Sequence, residues 1–146
     1  MDPKALEIRR IAPGGDLAAA FAIRREVFVG EQAIDPAIEL DGRDAEAVHY
    51  LAVAAGEPVG TARVHPLAPG VLKVERVAVR AAARRHGIGA AIMTRIVDDA
   101  RTGGVRRVEL SAQLYVRDFY LGLGFDADGG VYEEAGIPHV HMHRDL

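Results

Sequence analysis

The sequence predicts an α/β domain with a mixed central sheet, in which an antiparallel meander comes first and helices flank the sheet. Three strand-like segments, 49–54, 58–66 and 71–80, follow one another with only short turns between them. A helical stripe over 87–102 then separates the third segment from a further strand over 105–112. Hairpins make antiparallel neighbours and a strand–helix–strand crossover makes parallel ones, so the two together predict a mixed sheet.

Upstream of the meander, the pattern predicts a strand, a helix and an irregular connection. Residues 6–11 form the strand, which ends at Pro13-Gly14-Gly15. Asp16 can cap the helix by accepting a hydrogen bond from a free N–H group, and apolar residues recur at helical spacing to about Val29. Residues 30–46 are acidic and irregular. A connection of that length is uncommon unless it is functional or contains a short helix.

Downstream of the crossover, the elements are shorter and their patterns weaker. Glycines 103 and 104 end the long helix after its apolar stripe. After the strand over 105–112, a short helix is predicted over about 116–121. Two weak strands, one around Val131 and one over 139–143, complete the chain.

Composition narrows the classes of protein that fit. A length of 146 residues predicts one domain over 1–146, and the absence of cysteine excludes disulfides, thiolate metal sites and a cysteine nucleophile. The net charge of -3 does not indicate a nucleic-acid-binding protein, and no apolar run is long enough to span a membrane. Residues 1–4 lack the features of a signal peptide, so we expect a cytoplasmic protein.

The turn between the third meander strand and the long helix has the features of a phosphate-binding site. Gly87 and Gly89 let the backbone approach a ligand closely, and the free N–H groups of a helix start favour an anion. Arg84 and Arg85 add positive charge, so the turn suits a pyrophosphate. A triphosphate loop, GxxxxGK[ST], is absent, and a dinucleotide-binding GxGxxG would need glycine where Ile92 stands. An ordinary glycine-rich helix start remains the alternative. The predicted contacts of this turn are Arg84, Arg85, His86, Gly87, Ile88, Gly89 and Ala90.

Two separated motifs resemble the GNAT acetyltransferase superfamily. Arg84-x-x-Gly87-x-Gly89 is similar to its [QR]-x-x-G-x-[GA] motif between a strand and a helix. The segment 113–125 is similar to its N-x6-Y-x3-GF motif, with Gln113 in the place of the usual Asn. Segments 24–32, 111–113 and 132–142 further resemble the ElaA-like branch, so the likeness spans nearly the whole chain.

The resemblance implies an N-acetyltransferase that uses acetyl-CoA and passes the acetyl group directly to a small amine or amino terminus. A non-catalytic module that binds or senses acyl-CoA is the alternative. In this superfamily the strand before the turn splays from its neighbour and the pantetheine arm lies in the gap. The resemblance also makes a homodimer a plausible assembly. The further cofactor contacts that it implies are Val77, Ala78, Val79, Gln113, Phe119 and Tyr120.

Three side chains are candidates for proton transfer. By resemblance, Tyr120 lies beside the sulfur, either as the acid for the leaving thiolate or as a packed ring that only positions the sulfur. Glu75 is the first candidate base, because a mid-strand carboxylate costs free energy unless it is paired. Strand alternation would place it on the face of Lys73, Val77 and Val79, and an ion pair with Lys73 or Arg76 is the alternative. His139 is the second candidate, or else a strand histidine bonded to the backbone.

The acceptor amine is expected near the first helix and the acidic connection. Arg24 falls on the apolar stripe of that helix, where it could extend past the core to solvent, hold the segment 30–46 or bind a substrate carboxylate. Phe28, Glu31 and Gln32 follow it in the motif of the ElaA-like branch. The acidic residues of 30–46 would suit a cationic amine, although a solvated loop would carry such charges anyway.

Histidines 139, 141 and 143 alternate along one predicted strand, so they would share a face. Such a row could bind a metal ion, and a metal-binding protein is therefore a third hypothesis. GNAT chemistry needs no metal, and we expect no metal cofactor.

Overall fold

The computed structural model describes residues 5–146, so residues 1–4, on which the signal-peptide expectation rests, lie outside the described part. Its sheet has seven strands in the order β1-β2-β3-β4-β5-β7-β6. Only β4 and β5 are parallel neighbours, and the other pairs are antiparallel. The predicted mixed sheet with an antiparallel N-terminal meander is confirmed. The strands are β1 Leu6–Ile11, β2 Val48–Ala54, β3 Glu57–Ala68, β4 Val71–Val79, β5 Arg107–Gln113, β6 Asp126–Glu134 and β7 Ile137–Asp145.

The helices lie at or near the predicted positions. They are α1 Ala18–Arg24, α2 Pro36–Glu39, α3 Ile88–Thr102 and α4 Arg117–Gly122. Asp16 accepts a hydrogen bond from the N–H of Ala18 at 3.0 Å, as its capping role requires. After Arg24 the helix continues as a π-helical segment, Arg25–Glu31, a form that often marks functional sites. The acidic connection contains the short helix α2. A short helix was one of the two predicted reasons for the length of this connection, and a functional role was the other.

The two C-terminal strands are longer than the sequence pattern indicated. Nearly all side chains of β6 are exposed, because β6 lies at the edge of the sheet. Its pairing with β7 also shifts register between Asp128 and Tyr132, which breaks the alternation of apolar and polar residues. A strand without a buried face has a weak pattern of apolar and polar residues, and this explains why the predicted length of β6 was too short.

Helices cover both faces of the sheet. The apolar stripe of α3 packs on one face, with Ile92, Met93 and Ile96 almost completely buried. On the other face, Ile23, Val27 and Phe28 of the first helical region pack against residues of β2 and β4. No helix among residues 5–146 is long and apolar enough to cross a membrane.

A bulge in β4 changes the direction of the side chains that follow it. Between the pairs Arg63–Glu75 and Thr61–Ala78, β4 has one more residue than β3. Arg76 lies in this interval with a φ of 56°, in the left-handed region. The extra residue reverses the alternation of the strand beyond it.

The bulge corrects one expectation about Glu75. Glu75 pairs with Arg63 on the face that α1 covers, whereas Val77 and Val79 pack against the core cluster on the α3 side. Simple alternation placed Glu75, Val77 and Val79 on one face. That prediction is wrong because an inserted residue shifts the period of two by one.

Candidate active site

The parallel strands β4 and β5 separate and leave a cleft between them. Their paired residues run only from Val71–Arg107 to Val74–Leu110. Within residues 5–146, the side of β4 that faces β5 has no strand partner from residue 75 to 79. The gap opens into a cleft of about 960 Å³. That volume is at the upper end of the range for small-molecule and cofactor sites.

The glycine-rich turn forms one end of this cleft. Gly87 precedes α3 with a φ of 76°, a conformation that glycine adopts without steric cost. A Cβ atom on Gly89 would lie 3.3 Å from Cζ of Phe119, so a larger residue at this position would have to displace the Phe119 ring. The predicted cofactor contacts therefore lie together at the cleft, except His86, which does not line it. Those that line it are Val77, Ala78, Val79, Arg84, Arg85, Gly87, Ile88, Gly89, Ala90, Gln113, Phe119 and Tyr120.

Two predicted acceptor-side residues contact predicted cofactor residues directly. Arg84 donates to the Glu31 carboxylate at 2.7 Å, and its Nε donates to the carbonyl of Val79 at 3.0 Å. Gln32 and Gln113 form a reciprocal amide pair, with N···O distances of 2.7 and 3.2 Å. The end of the π-helical segment is thus joined to both sides of the cleft.

Tyr120 lines the cleft from α4 and is almost fully buried. Its ring meets Phe119 and Phe125 edge to face, with centroids 4.9 and 5.9 Å away. Burial raises the pKa of Tyr120, and the nearby Tyr115 adds to this effect, so the hydroxyl stays protonated. Within the described residues the hydroxyl has no hydrogen-bond partner. It is therefore free to donate a proton to a group in the cleft.

His139 lines the cleft, and its two ring nitrogens have different neighbours. Its Nδ1 lies 2.6 Å from the carbonyl oxygen of Ile137, which can only accept, so Nδ1 carries the proton. In the neutral ring Nε2 then keeps a lone pair, and it lies 3.5 Å from the carboxylate of Glu134. The ring also stacks on Tyr132, whose hydroxyl bonds to Ser111. The backbone bond that the sequence left as an alternative is present, and in the neutral ring it leaves Nε2 as the nitrogen that can accept a proton.

Glu75 lies in an ion-pair network with more partners than the sequence indicated. Its carboxylate oxygens lie 2.5 Å from Nη2 of Arg63 and 2.6 Å from Nε2 of His65. Lys73 and Arg76, the expected partners, lie farther away at 3.7 Å each. Burial alone would raise the pKa of Glu75, but the hydrogen bonds from Arg63 and His65 outweigh it and lower the pKa to about 2. Such a carboxylate accepts protons weakly at neutral pH.

Arg24 holds the acidic connection in place. It is fully buried and donates to both carboxylate oxygens of Glu39, at 2.7 and 2.6 Å, and to both of Asp44, at 2.6 and 3.3 Å. The guanidinium therefore does not reach solvent. Asp44 also accepts from Arg63, as does Asp41. Because arginines neutralise these three carboxylates, their charges are not free to attract a cationic amine.

The sequence interpretation missed several polar residues of this region. Arg63 lies in the middle of a buried strand, and a charge in that position requires a partner, which is a signal that could have revealed the network. Glu134, at the β6–β7 hairpin, lines the cleft beside His139. Among the described carboxylates that line the cleft, it alone has no arginine or lysine within 4 Å. No local pattern distinguishes it from Glu133.

The remaining histidines of β7 lie outside the cleft. His141 and His143 both direct Nδ1 to one oxygen of Asp128, at 3.3 and 2.5 Å. They alternate with Val140 and Met142, which face the core, so the histidines share the opposite face as predicted. Over the span 5–146, no three His, Asp or Glu side chains are arranged to hold a metal ion.

Comparisons with known proteins agree with this geometry. The family model of the acetyltransferase (GNAT) domain matches residues 18–146. Escherichia coli ElaA has a TM-score of 0.84 and 29% identity, over 95% of this chain and 99% of that one. An acyl-CoA N-acyltransferase from Pseudomonas aeruginosa has a TM-score of 0.83 and 32% identity, over 95% and 99%. A GNAT family acetyltransferase from Elizabethkingia anophelis with acetyl-CoA bound shares the fold, with a TM-score of 0.75 and 16% identity over 97% and 99%.

The resemblance that the motifs indicated is confirmed by these matches. They extend over nearly the whole chain, and they include ElaA, whose branch the terminal segments resemble. The chain belongs to the GNAT acetyltransferase family.

Proposed function

We propose that this protein is an N-acetyltransferase that transfers the acetyl group of acetyl-CoA directly to a small amine. The observation that carries the proposal is the cleft between β4 and β5, with the glycine-rich turn at one end and His139 and Tyr120 in its wall. The solved relative with acetyl-CoA bound shares this fold.

The residues of the cleft fit such a cofactor. Gly87 and Gly89 leave the start of α3 open, and α3 is long enough for its N-terminal N–H groups and dipole to favour a pyrophosphate. Arg85 beside them has no ion pair with any described residue. The unpaired side of β4 from 75 to 79 offers backbone groups to the amides of a pantetheine arm. When bound, acetyl-CoA supplies an activated carbonyl and a thiol leaving group.

His139 is the base that the geometry favours. An amine must lose a proton before it attacks a carbonyl, and in the neutral ring of His139, which lines the cleft, Nε2 can accept one. Glu75 is a weaker candidate because its ion pairs lower its pKa to about 2. Glu134 lies beside Nε2 without an arginine partner, so it can attract the ammonium form of the acceptor.

Tyr120 is the matching acid. Its hydroxyl is protonated and has no other hydrogen-bond partner among the described residues, so it can donate to the departing sulfur. A covalent acyl-enzyme is disfavoured, because the chain has no cysteine and Ser111 bonds to Tyr132 rather than to a histidine. Direct attack by the amine is then the simpler route.

A screen for amine-dependent thiol release tests the proposal. The protein is incubated with acetyl-CoA and, separately, a polyamine, amino acids, short peptides and an aminoglycoside, and products are identified by mass spectrometry. We expect thiol release above the hydrolysis background with at least one amine, together with its acetylated product. Binding of acetyl-CoA without turnover of any amine, unchanged in Tyr120→Phe, would instead support the non-catalytic acyl-CoA module.

A further inference from the structure

An internal carboxylate occupies one of the two arginines of the glycine-rich turn. Arg84 donates to Glu31 at 2.7 Å, whereas Arg85 has no ion pair with any described residue. Nε of Arg84 donates to the carbonyl of Val79, so the protein engages two of the three guanidinium nitrogens. A carboxylate and a phosphate oxygen bind a guanidinium in the same way, and they therefore compete for it.

The neighbouring residue, Gln32, makes a second contact with a residue that borders the cleft. Gln32 pairs with Gln113 at the end of β5, while Glu31 binds Arg84 just beyond β4. Two consecutive residues thus connect one segment to both strands that border the cleft. Gln32 also lines the cleft, as do Ile34 and Ile38 farther along the acidic connection. The segment that follows Glu31 therefore lines the cleft.

We propose that Glu31 is an internal competitor of the cofactor phosphates and so sets the affinity for acetyl-CoA. This inference rests on the proposed function. On binding, Arg84 exchanges the Glu31 carboxylate for a phosphate oxygen, and that exchange offsets part of the binding free energy. The pair is partly exposed, with side-chain exposures of 43% and 35%. Breaking a pair of this kind costs about two- to fivefold in affinity, and repulsion between Glu31 and the phosphates extends the expected range to about tenfold.

Calorimetric titration with acetyl-CoA tests the inference. Glu31→Gln should bind acetyl-CoA about two- to tenfold more tightly than the wild type. Glu26→Gln is the matched control, because it removes the same charge from the same helical segment. Glu26 pairs with Arg80 at 3.5 Å, and neither residue lines the cleft. We expect its dissociation constant to stay within about twofold of the wild type.

An Arg84→Gln background separates competition from simple repulsion. If Glu31 acts by occupying Arg84, most of the gain from Glu31→Gln disappears once Arg84 is replaced. An equal gain in affinity in both backgrounds would mean that the Glu31 carboxylate acts only by repelling the phosphates, and this overturns the inference. An unchanged affinity in Glu31→Gln overturns it too. Failure of the wild type to bind acetyl-CoA is a separate result, which removes the proposed function and the inference with it.

Discussion

Replacement of Glu75 by Gln distinguishes a structural carboxylate from a catalytic base. Glutamine keeps the shape of the side chain but removes the charge that Arg63 and His65 stabilise. Because the ion pairs lower the pKa of Glu75 to about 2, we expect the main effect on stability, with little effect on turnover. In the folded enzyme, kcat should stay within about tenfold of the wild type, since a lost base costs about 100-fold or more.

The pKa gives the size and sign of the stability effect. The pKa of Glu75 falls from its ordinary 4.5 to about 2, so the folded state binds this proton less tightly than the unfolded chain. The ionised carboxylate therefore stabilises the fold fully above about pH 5, and this contribution is lost as the pH falls towards 2. At 1.36 kcal/mol for each pH unit, it amounts to about 3 kcal/mol at pH 7 and about 1 kcal/mol at pH 3.

Urea unfolding of the wild type and Glu75→Gln at pH 7, 5, 4 and 3 measures this contribution. The free energies of unfolding should differ by about 3 kcal/mol at pH 7 and converge towards about 1 kcal/mol at pH 3. Other carboxylates titrate in both proteins, so the difference isolates Glu75. Glu57→Gln, an exposed change on β3, should stay within about 0.5 kcal/mol of the wild type throughout. A difference that is absent at pH 7, or equal at every pH, refutes the reasoning.

Three further substitutions test other parts of the site. Tyr120→Phe should lower kcat about 100-fold and leave the unfolding midpoint nearly unchanged, because the hydroxyl makes no hydrogen bond with the described residues. Since burial raises the pKa of Tyr120, ionisation of this residue should not reduce wild-type activity up to about pH 10. His139→Gln should lower kcat about 100-fold at pH 7 without changing the dissociation constant of acetyl-CoA, and equal activity would exclude His139 as the base. Arg24→Met leaves the buried carboxylates of Glu39 and Asp44 without this partner, so chemical denaturation should show a loss of about 3–5 kcal/mol; a loss below about 1 kcal/mol would contradict the buried pair.

Most of the fold could be predicted from local patterns. The helix α3 has a strong helical stripe because one of its faces is buried, and the meander strands are apolar segments bounded by glycine or proline. The edge strand β6 could not be bounded, since nearly all its side chains are exposed. The bulge at Arg76 could not be predicted either. The apolar residues of β4 fit a strand equally well with or without one inserted residue.

The candidate site was predicted unevenly for a related reason. Gly87 and Gly89 could be found because the turn is contiguous in sequence and its chemistry depends on the backbone. The partners of Glu75 and Arg24 come from other strands and from the acidic connection, so they depend on tertiary contacts. Sequence alone therefore left the ion pair and the base as alternatives for Glu75, and the geometry of Arg63 and His65 favours the ion pair.

Thermal unfolding with and without acetyl-CoA tests the central claim most directly. At 100 times its dissociation constant, a ligand adds about 2.7 kcal/mol of stability, which should raise the midpoint of the wild type by about 5–11 °C. Gly89→Val fills the turn at the cleft and should abolish most of this shift, whereas Gly122→Val, where an added Cβ meets open space, should keep it. A wild type that is unmoved by millimolar acetyl-CoA, or an equal shift in Gly89→Val, would contradict the account.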